Sequence, residues 1–326
     1  MSASEFGLIN NYFKAMPEHR RDVLLGIGDD AAITSIPAGH KLVTTVDTLV
    51  QDIHFDDKVT PADLACKALA VNLSDLAAMG AEPAWITLSL TIPEVDHDWL
   101  KEFSESLQQQ CRFYDVQLIG GDTCRGRISI TIQAMGVVPD NLAIKRSTAQ
   151  AGDLIYVTGT LGDAGAGLSL NQRRKKTFTE LEQFLLQRLH RPTPRLEAGV
   201  LLRNFATSAI DISDGLLQDV QHILDASEVG AVLKMPELPI SEAMAAVFPY
   251  KQAQSFALTA GDDYELCFTI KPDSRDKLER CFATASTPIT LIGHVTANKG
   301  LQVQNNEKVV EFDNKGFDHF AHSLKA

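Results

Sequence analysis

Short runs of apolar and polar residues set the reading of this chain. Lys41–Val46 is rich in Val and Thr and reads as a strand that delivers Asp47 at its end. Similar strand signals fall at Val23–Leu25, Trp85–Ile92, Gln117–Ile119 and Ile128–Val138. In the second half they fall at Leu154–Thr158, Ala209–Ile212, Ala231–Met235, Tyr264–Ile270 and Ile289–Val295. Helical periodicity marks Glu5–Phe13, a segment near Asp98–Phe113, one after Gly162, and Asp214–Ala226. The clearest helix runs to Met79: Thr60 is its N-cap, Pro61 its first position, Asp63 closes a capping box, and Gly80 stops it. Strands and helices mix without strict alternation, so the fold class is α+β. Apolar rhythm lapses over Pro139–Gly152, which divides the chain into domains at 1–140 and 150–326.

Asp75 interrupts one face of that helix. Leu64, Ala68, Val71, Asp75 and Met79 form a stripe, apolar except for one carboxylate. A buried, unpaired carboxylate costs several kcal/mol, so it calls for a cation, and Lys67 is too far along to be more than an indirect partner. The other reading is a local salt bridge or a surface-facing Asp. The pattern Asn72-Leu-Ser-Asp75-Leu also echoes Asp211-Ile-Ser-Asp214-Gly-Leu, one copy in each half, as two related half-structures would produce.

Charge narrows the function. A formal net charge of −12 over 326 residues disfavours direct nucleic-acid binding and repels free phosphate unless cations mediate. No run approaches the length of a membrane-spanning helix, and the first residues lack a basic segment followed by an apolar one. The 5 cysteines are scattered, without a C-x-x-C pair, as expected of reduced thiols in the cytoplasm.

Acidic residues gather in islands with Gly, Ser or Thr: Gly28-Asp-Asp30, Thr45-Val46-Asp47, Ser74-Asp75, Gly120-Gly121-Asp122, Asp211-Ile-Ser213-Asp214 and Gly261-Asp262-Asp-Tyr-Glu265. Each alone is ordinary turn or cap chemistry. Together, in one cleft, they would repel one another, and hard divalent cations relieve that repulsion through oxygen ligands. Mg²⁺ completes its shell with substrate phosphates, so the set suggests nucleotide chemistry. Gly26-Ile-Gly28-Asp-Asp-Ala31 formally matches a dinucleotide fingerprint, but carboxylates stand where a pyrophosphate would lie. No P-loop, EF-hand or zinc-protease motif is present. Gly159–Gly167 could offer backbone N–H groups to phosphate, or serve close helix–strand packing.

These islands, with Asp52-Ile-His54-Phe, Lys67–Gly80, Val157–Asp163 and Asp263–Phe268, resemble the thiamine-monophosphate kinase family over nearly the whole chain. The resemblance implies two α+β domains like those of aminoimidazole-ribonucleotide synthetase, an N-terminal domain that dimerises through its sheet, and a C-terminal domain that completes the active site. It implies transfer of the γ-phosphoryl group of ATP to thiamine monophosphate, with several Mg²⁺ ions. On the matching positions, Asp30, Thr45, Val46, Asp47, Asp75, Asp122, Asp211 and Asp214 are implied metal ligands. Gly121, Asp122, Arg146 and Ser213 are implied ATP contacts, and His54, Asp262 and Phe317 substrate contacts. The family commonly has Glu where this chain has Asp262. Phe317 stands where an aromatic ring is expected against the thiamine base, and tail packing is its alternative role.

The rivals are another ATP-dependent enzyme of the same fold and a non-catalytic nucleotide or cation sensor. The first cysteine is Cys66, inside a helix, which disfavours a selenophosphate synthetase. The C-terminal His-Ser-Leu-Lys-Ala, with no cysteine, disfavours a carbamoyl-cysteine dehydratase.

Overall fold

The computed structural model describes residues 5–14, 19–173, 177–306 and 308–312. The chain divides into two units, Met1–Leu76 with Ala81–Ala143 and Ala77–Gly80 with Ile144–Ala326. The first contains α1 (Glu5–Leu8, continued by a π turn Ile9–Phe13), β1 (Val23–Leu25), β2 (Ile33–Thr34), β3 (His40–Val50), α2 (Pro61–Ala78), β4 (Glu82–Ile92), α3 (His97–Phe113), β5 (Gln117–Arg125) and β6 (Ser129–Pro139). The last residues of α2 group with the second unit.

β3, β6, β4 and β5 form a sheet in that order, with β4 and β5 parallel and the other pairs antiparallel. Period-2 alternation gives it two unlike faces. Ile130, Ile132, Ala134, Leu88 and Leu90 are buried on one, and there Leu76 of α2 lies against Gly136. Thr44, Val46, Thr48, Gln133 and Ser89 are exposed on the other. One end of the exposed face is closed by Trp85, which packs with Val23, Ala32 and Ile119 and donates its indole N–H to Asp22 at 3.1 Å.

α2 starts as its sequence predicts, with the Asp63 N–H donating to the Thr60 hydroxyl at 3.1 Å. It ends in a left-handed Gly80, φ 65°. The Ala81 N–H returns to the Leu76 carbonyl at 2.8 Å, and that backbone reversal favours a residue without Cβ. Leu64, Ala68 and Val71 of the apolar stripe are buried, and so is most of the rest of α2, Lys67, Asn72 and Ser74 included.

The second unit contains β7 (Leu154–Thr158), α4 (Asp163–Asn171), α5 (Glu180–His190), α6 (Leu196–Leu202), β8 (Ala206–Asp211), α7 (Leu216–Ser227), β9 (Gly230–Lys234), α8 (Glu242–Val247), α9 (Tyr250–Thr259), β10 (Leu266–Ile270), α10 (Arg275–Phe282), β11 (Ile289–Thr296), β12 (Gly300–Asn305) and β13 (Lys308–Val310). Its sheet order is β13-β12-β9-β11-β7-β10-β8, antiparallel except β9–β12. Both faces of the central strands are covered. Ile155, Val157 and Ile210 pack with α7 and α9, while Tyr156, Phe268 and Ala209 pack with α6 and α10. Every residue of β10 is therefore buried, and each large apolar side chain so placed contributes about 1.5–3 kcal/mol. α5 was not anticipated, although Thr179 and Glu182 form a full capping box at its start.

Candidate active site

The first unit brings three of the expected residues together. Thr45 and Asp47 lie on β3, two residues apart and on the same face. The Thr45 hydroxyl donates to the Asp75 carboxylate on α2. The Asp47 N–H donates to the Asn72 side-chain oxygen at 3.0 Å, one helical turn before Asp75. Asn72 is fully buried and donates its own amide to the Ala68 carbonyl at 2.9 Å, which fixes its orientation. The strand therefore meets the helix through polar contacts at its open edge.

Several expectations change here. Asp47 does not end its strand, because β3 continues through Thr48-Leu-Val50 with all those residues paired to β6. Asp75 is half-buried and satisfied in part by a hydroxyl, so it is not a lone carboxylate in an apolar face. Val46 is 58% exposed on the opposite face from Thr45 and Asp47, so it could serve a ligand there only through its backbone. Gly121 and Asp122 are not a turn. They continue β5, paired with Leu88 and Ser89, and Gly121 is required because a Cβ would lie 1.9 Å from the Leu88 carbonyl oxygen.

Asp122 does not join Thr45, Asp47 and Asp75. It stands three strands across the sheet from β3, roughly 14 Å away at ordinary strand spacing. One ion could not take Asp47 and Asp122 directly as ligands. Asp30 is exposed, its N–H donating to Asp29 Oδ1 at 2.9 Å. His54 sits in the turn after β3, where its Nδ1 accepts the Val50 N–H at 3.0 Å.

In the second unit Asp211 ends β8, buried and paired with Leu266. Two loops are laced beyond that pair. The Ile212 N–H donates to the Glu265 carbonyl at 2.7 Å, Tyr264 N–H to Ile212 at 2.9 Å, and Asp262 N–H to Ser213 at 2.8 Å. Asp262 and Ser213 are thus adjacent. Asp214 precedes α7 and does not open it; the helix starts at Leu216, with Gly215 as its cap at φ 118°. The local structures of the two sequence echoes differ: Asn72–Asp75 lies inside α2, whereas Asp211–Asp214 leaves a strand. Arg146 is anchored at the far end of α7, where the Ser227 hydroxyl donates to its carbonyl at 2.9 Å. Phe317 lies outside the described residues.

Buried charge holds these loops. Glu265 accepts from Arg188 at 2.8 Å, from Arg195 Nε at 2.7 Å and from the Thr158 hydroxyl at 2.7 Å. Asp263 accepts the N–H groups of Gly162 and Ala164 at the start of α4. Full burial pushes its carboxyl well above the usual range, with those N–H bonds opposing. Burial, then the neighbouring Asp214 charge, pushes the Asp219 carboxyl up to about 7, against backbone N–H bonds. Asn72, Asp219, Arg188 and Arg195 were not anticipated as contributors. The signal for Asp219 was an acid in the first turn of a helix whose cap is a glycine.

Among the described residues no three His, Cys, Asp or Glu side chains converge as a ready metal cluster. The donors that do meet are hydroxyl and carboxylate oxygens, as at Thr45 and Asp75, which fit a hard cation that keeps waters and phosphate oxygens in its shell. The second unit's cavity of about 700 Å³ is elsewhere, lined by Tyr156, Arg275, Glu279 and His294, and holds none of the expected residues.

Residues 28–138 match the family described as AIR synthase related protein, N-terminal domain, and 150–306 its C-terminal domain. The thiamine-monophosphate kinase of Salmonella typhimurium is 49% identical over 323 residues, 98% of this chain and 99% of the relative. The chain belongs to the thiamine-monophosphate kinase family. Within this family, a crystal structure of the Stenotrophomonas maltophilia enzyme is 45% identical, with TM-score 0.86, covering 93% of this chain and 97% of that one. A structure of AaThiL complexed with AMPPCP and TMP is 31% identical, with TM-score 0.78, and covers 97% of each chain. The α+β fold with two AIR synthase related domains is that of the family.

Proposed function

We propose that this chain phosphorylates thiamine monophosphate with ATP, giving thiamine diphosphate and ADP, with Mg²⁺ bound by carboxylate and hydroxyl oxygens. The observation that supports it most is 49% identity to a thiamine-monophosphate kinase along 98% of the chain.

Asp30, Thr45, Asp47, Asp75 and Asp122 in the first unit, with Asp211 and Asp214 in the second, would hold the cations, and Val46 would contribute through its backbone. Bound Mg²⁺ supplies charge neutralisation and alignment of the phosphates. The chain's own part is positioning. β3 and α2 hold Thr45 and Asp75 in contact, and Asn72 keeps β3 at that distance. Gly121, Asp122, Arg146 and Ser213 would contact ATP. Arg146 is exposed, and its guanidinium suits phosphate oxygens. His54, Asp262 and Phe317 would contact the thiamine substrate.

An oxygen of the acceptor phosphate attacks Pγ, the bond from Pγ to the β–γ bridging oxygen breaks, and ADP leaves. A phosphate monoester is largely ionised near pH 7, so the attacking oxygen needs no general base. No phosphorylated side chain intervenes.

A second copy of the chain is part of the proposal. Leu42 at 44% and Val46 at 58% exposure lie on the uncovered face of the β3-β6-β4-β5 sheet, which a homodimer would bury. No helix among the described residues is long and apolar enough to cross a membrane. A reducing, cytoplasmic setting is supported by the free state of all five cysteines.

The test is to incubate the protein with ATP, Mg²⁺ and thiamine monophosphate and to measure thiamine diphosphate and ADP. Equal amounts of the two are expected. Nucleotide binding without thiamine diphosphate would favour a sensor, and label retained on the protein after one turnover would rule out direct transfer.

A further inference from the structure

We infer that Asp219 is a positioning residue that holds the loop Ile212–Gly215 from behind and commits it to binding cations through its side chains. The start of a helix leaves backbone N–H groups without partners and carries partial positive charge, which ordinarily draws an anion. In α7 the acceptor is the helix's own. Asp219 is 2% exposed, and its Oδ2 accepts the N–H groups of Asp214 and Gly215 at 3.1 Å each.

The usual forward-reaching cap is missing for a steric reason. Gly215 has φ 118°, and a Cβ there would lie 2.7 Å from the Thr259 carbonyl oxygen. Without a capping side chain, the residue one turn into the helix reaches back instead.

The other side of the loop is occupied too. The carbonyls of Ile212 and Ser213 accept from Tyr264 and Asp262, and the Ile212 N–H donates to Glu265. A phosphate therefore finds the N–H groups of Asp214 and Gly215 already taken. The loop's side-chain oxygens are the half-buried Ser213 hydroxyl and the Asp214 carboxylate, which accepts from the Gln218 amide at 3.3 Å; such oxygens suit a cation. The inference rests on the metal reading above for its consequence, but its geometry stands without a metal.

The test uses the full chain with Asp219→Ala and Asp219→Asn. In metal-free protein, hydrogen–deuterium exchange of residues 211–219 reads the loop directly. Asp219→Ala is expected to speed exchange there by about tenfold, the effect of losing two ordinary hydrogen bonds. Half-saturating Mg²⁺ for turnover, or Mn²⁺ bound as followed by its electron paramagnetic resonance, is expected to rise roughly 10–100-fold. Asp219→Asn keeps an oxygen that accepts the same N–H groups, so both readouts are expected within about threefold of the parent. A folded Asp219→Ala protein with parental exchange at 211–219 overturns the inference. So does a folded Asp219→Asn protein whose loop exchanges as fast as expected for Ala, which decides the matter even where the Ala variant does not fold. Accelerated exchange in Asp219→Ala together with turnover that does not depend on Mg²⁺ would uphold the positioning role and count instead against the metal reading.

Discussion

The Thr45 hydroxyl on β3 donates to the Asp75 carboxylate on α2, 30 positions away along the chain. The contact joins a sheet edge to a helix, hydroxyl to carboxylate, at the point where the strand's Asp47 N–H is also held by Asn72. Asp75→Asn keeps the shape and can still accept from Thr45, but it loses the charge a cation needs. Turnover of thiamine monophosphate is expected to fall by at least ~10²-fold, with the thermal midpoint within a few degrees of the parent. Full activity in a folded Asp75→Asn protein would remove this residue from the metal site.

Glu265 carries the stability of the second unit's loops. It is 0% exposed and paired with two guanidinium groups. Glu265→Ala removes the buried carboxylate that both share and leaves Arg188 with Asp163 at 3.9 Å, so a loss of roughly 3–5 kcal/mol is expected in urea unfolding. Gly159→Ala reaches the same network from the backbone side. Its Cβ would lie 2.2 Å from Glu265 Oε1, at φ +57°. It too is expected to destabilise, by more than about 1 kcal/mol; an unchanged unfolding midpoint in both variants would show that the network is dispensable.

Asp22 gives the first unit a pH dependence. Burial raises its carboxyl pKa, but hydrogen bonds from Arg20 and Trp85 outweigh this, and the net shift is below the ordinary 3.8. A folded-state pKa below the unfolded one stabilises above the unfolded value, and that stability is lost as pH falls through the folded one. Asp22→Asn is therefore expected to flatten the acid limb of stability below pH 3.8, read by Trp85 fluorescence. An acid limb identical to the parent's would exclude Asp22 as a contributor.

The uncovered face of the first unit's sheet bears on assembly. Leu42→Glu places a charge beside Val46 on that face, a change that is neutral where the face is solvated but costly where it is buried. Sedimentation is expected to show a dimer for the parent and a monomer for Leu42→Glu. A parent that sediments as a monomer at every concentration would end the dimer proposal.

Removal of divalent cations by a chelator is expected to abolish turnover, and Mg²⁺ to restore it, with the melting curve of the nucleotide-free protein little changed. A chelated enzyme that still forms thiamine diphosphate would contradict the assigned role of the carboxylates.

Local chemistry was legible in the sequence. Thr60, Pro61 and Gly80 bounded α2 because capping and left-handed backbone depend on residues within one turn. The α+β class followed from alternation and periodicity, which are also local. Partnership was not legible. That Asp75 meets a Thr45 hydroxyl, that Asp122 stands across a sheet from Asp47, and that Asp219 caps its own helix all depend on which strands become neighbours. Strand order is decided by burial summed over many distant residues, so no short stretch of sequence encodes it. Residue order was enough to read off the oxygen donors and their family resemblance; which of them stand together came only with folding, because burial and register act across the chain while caps and turns act along it.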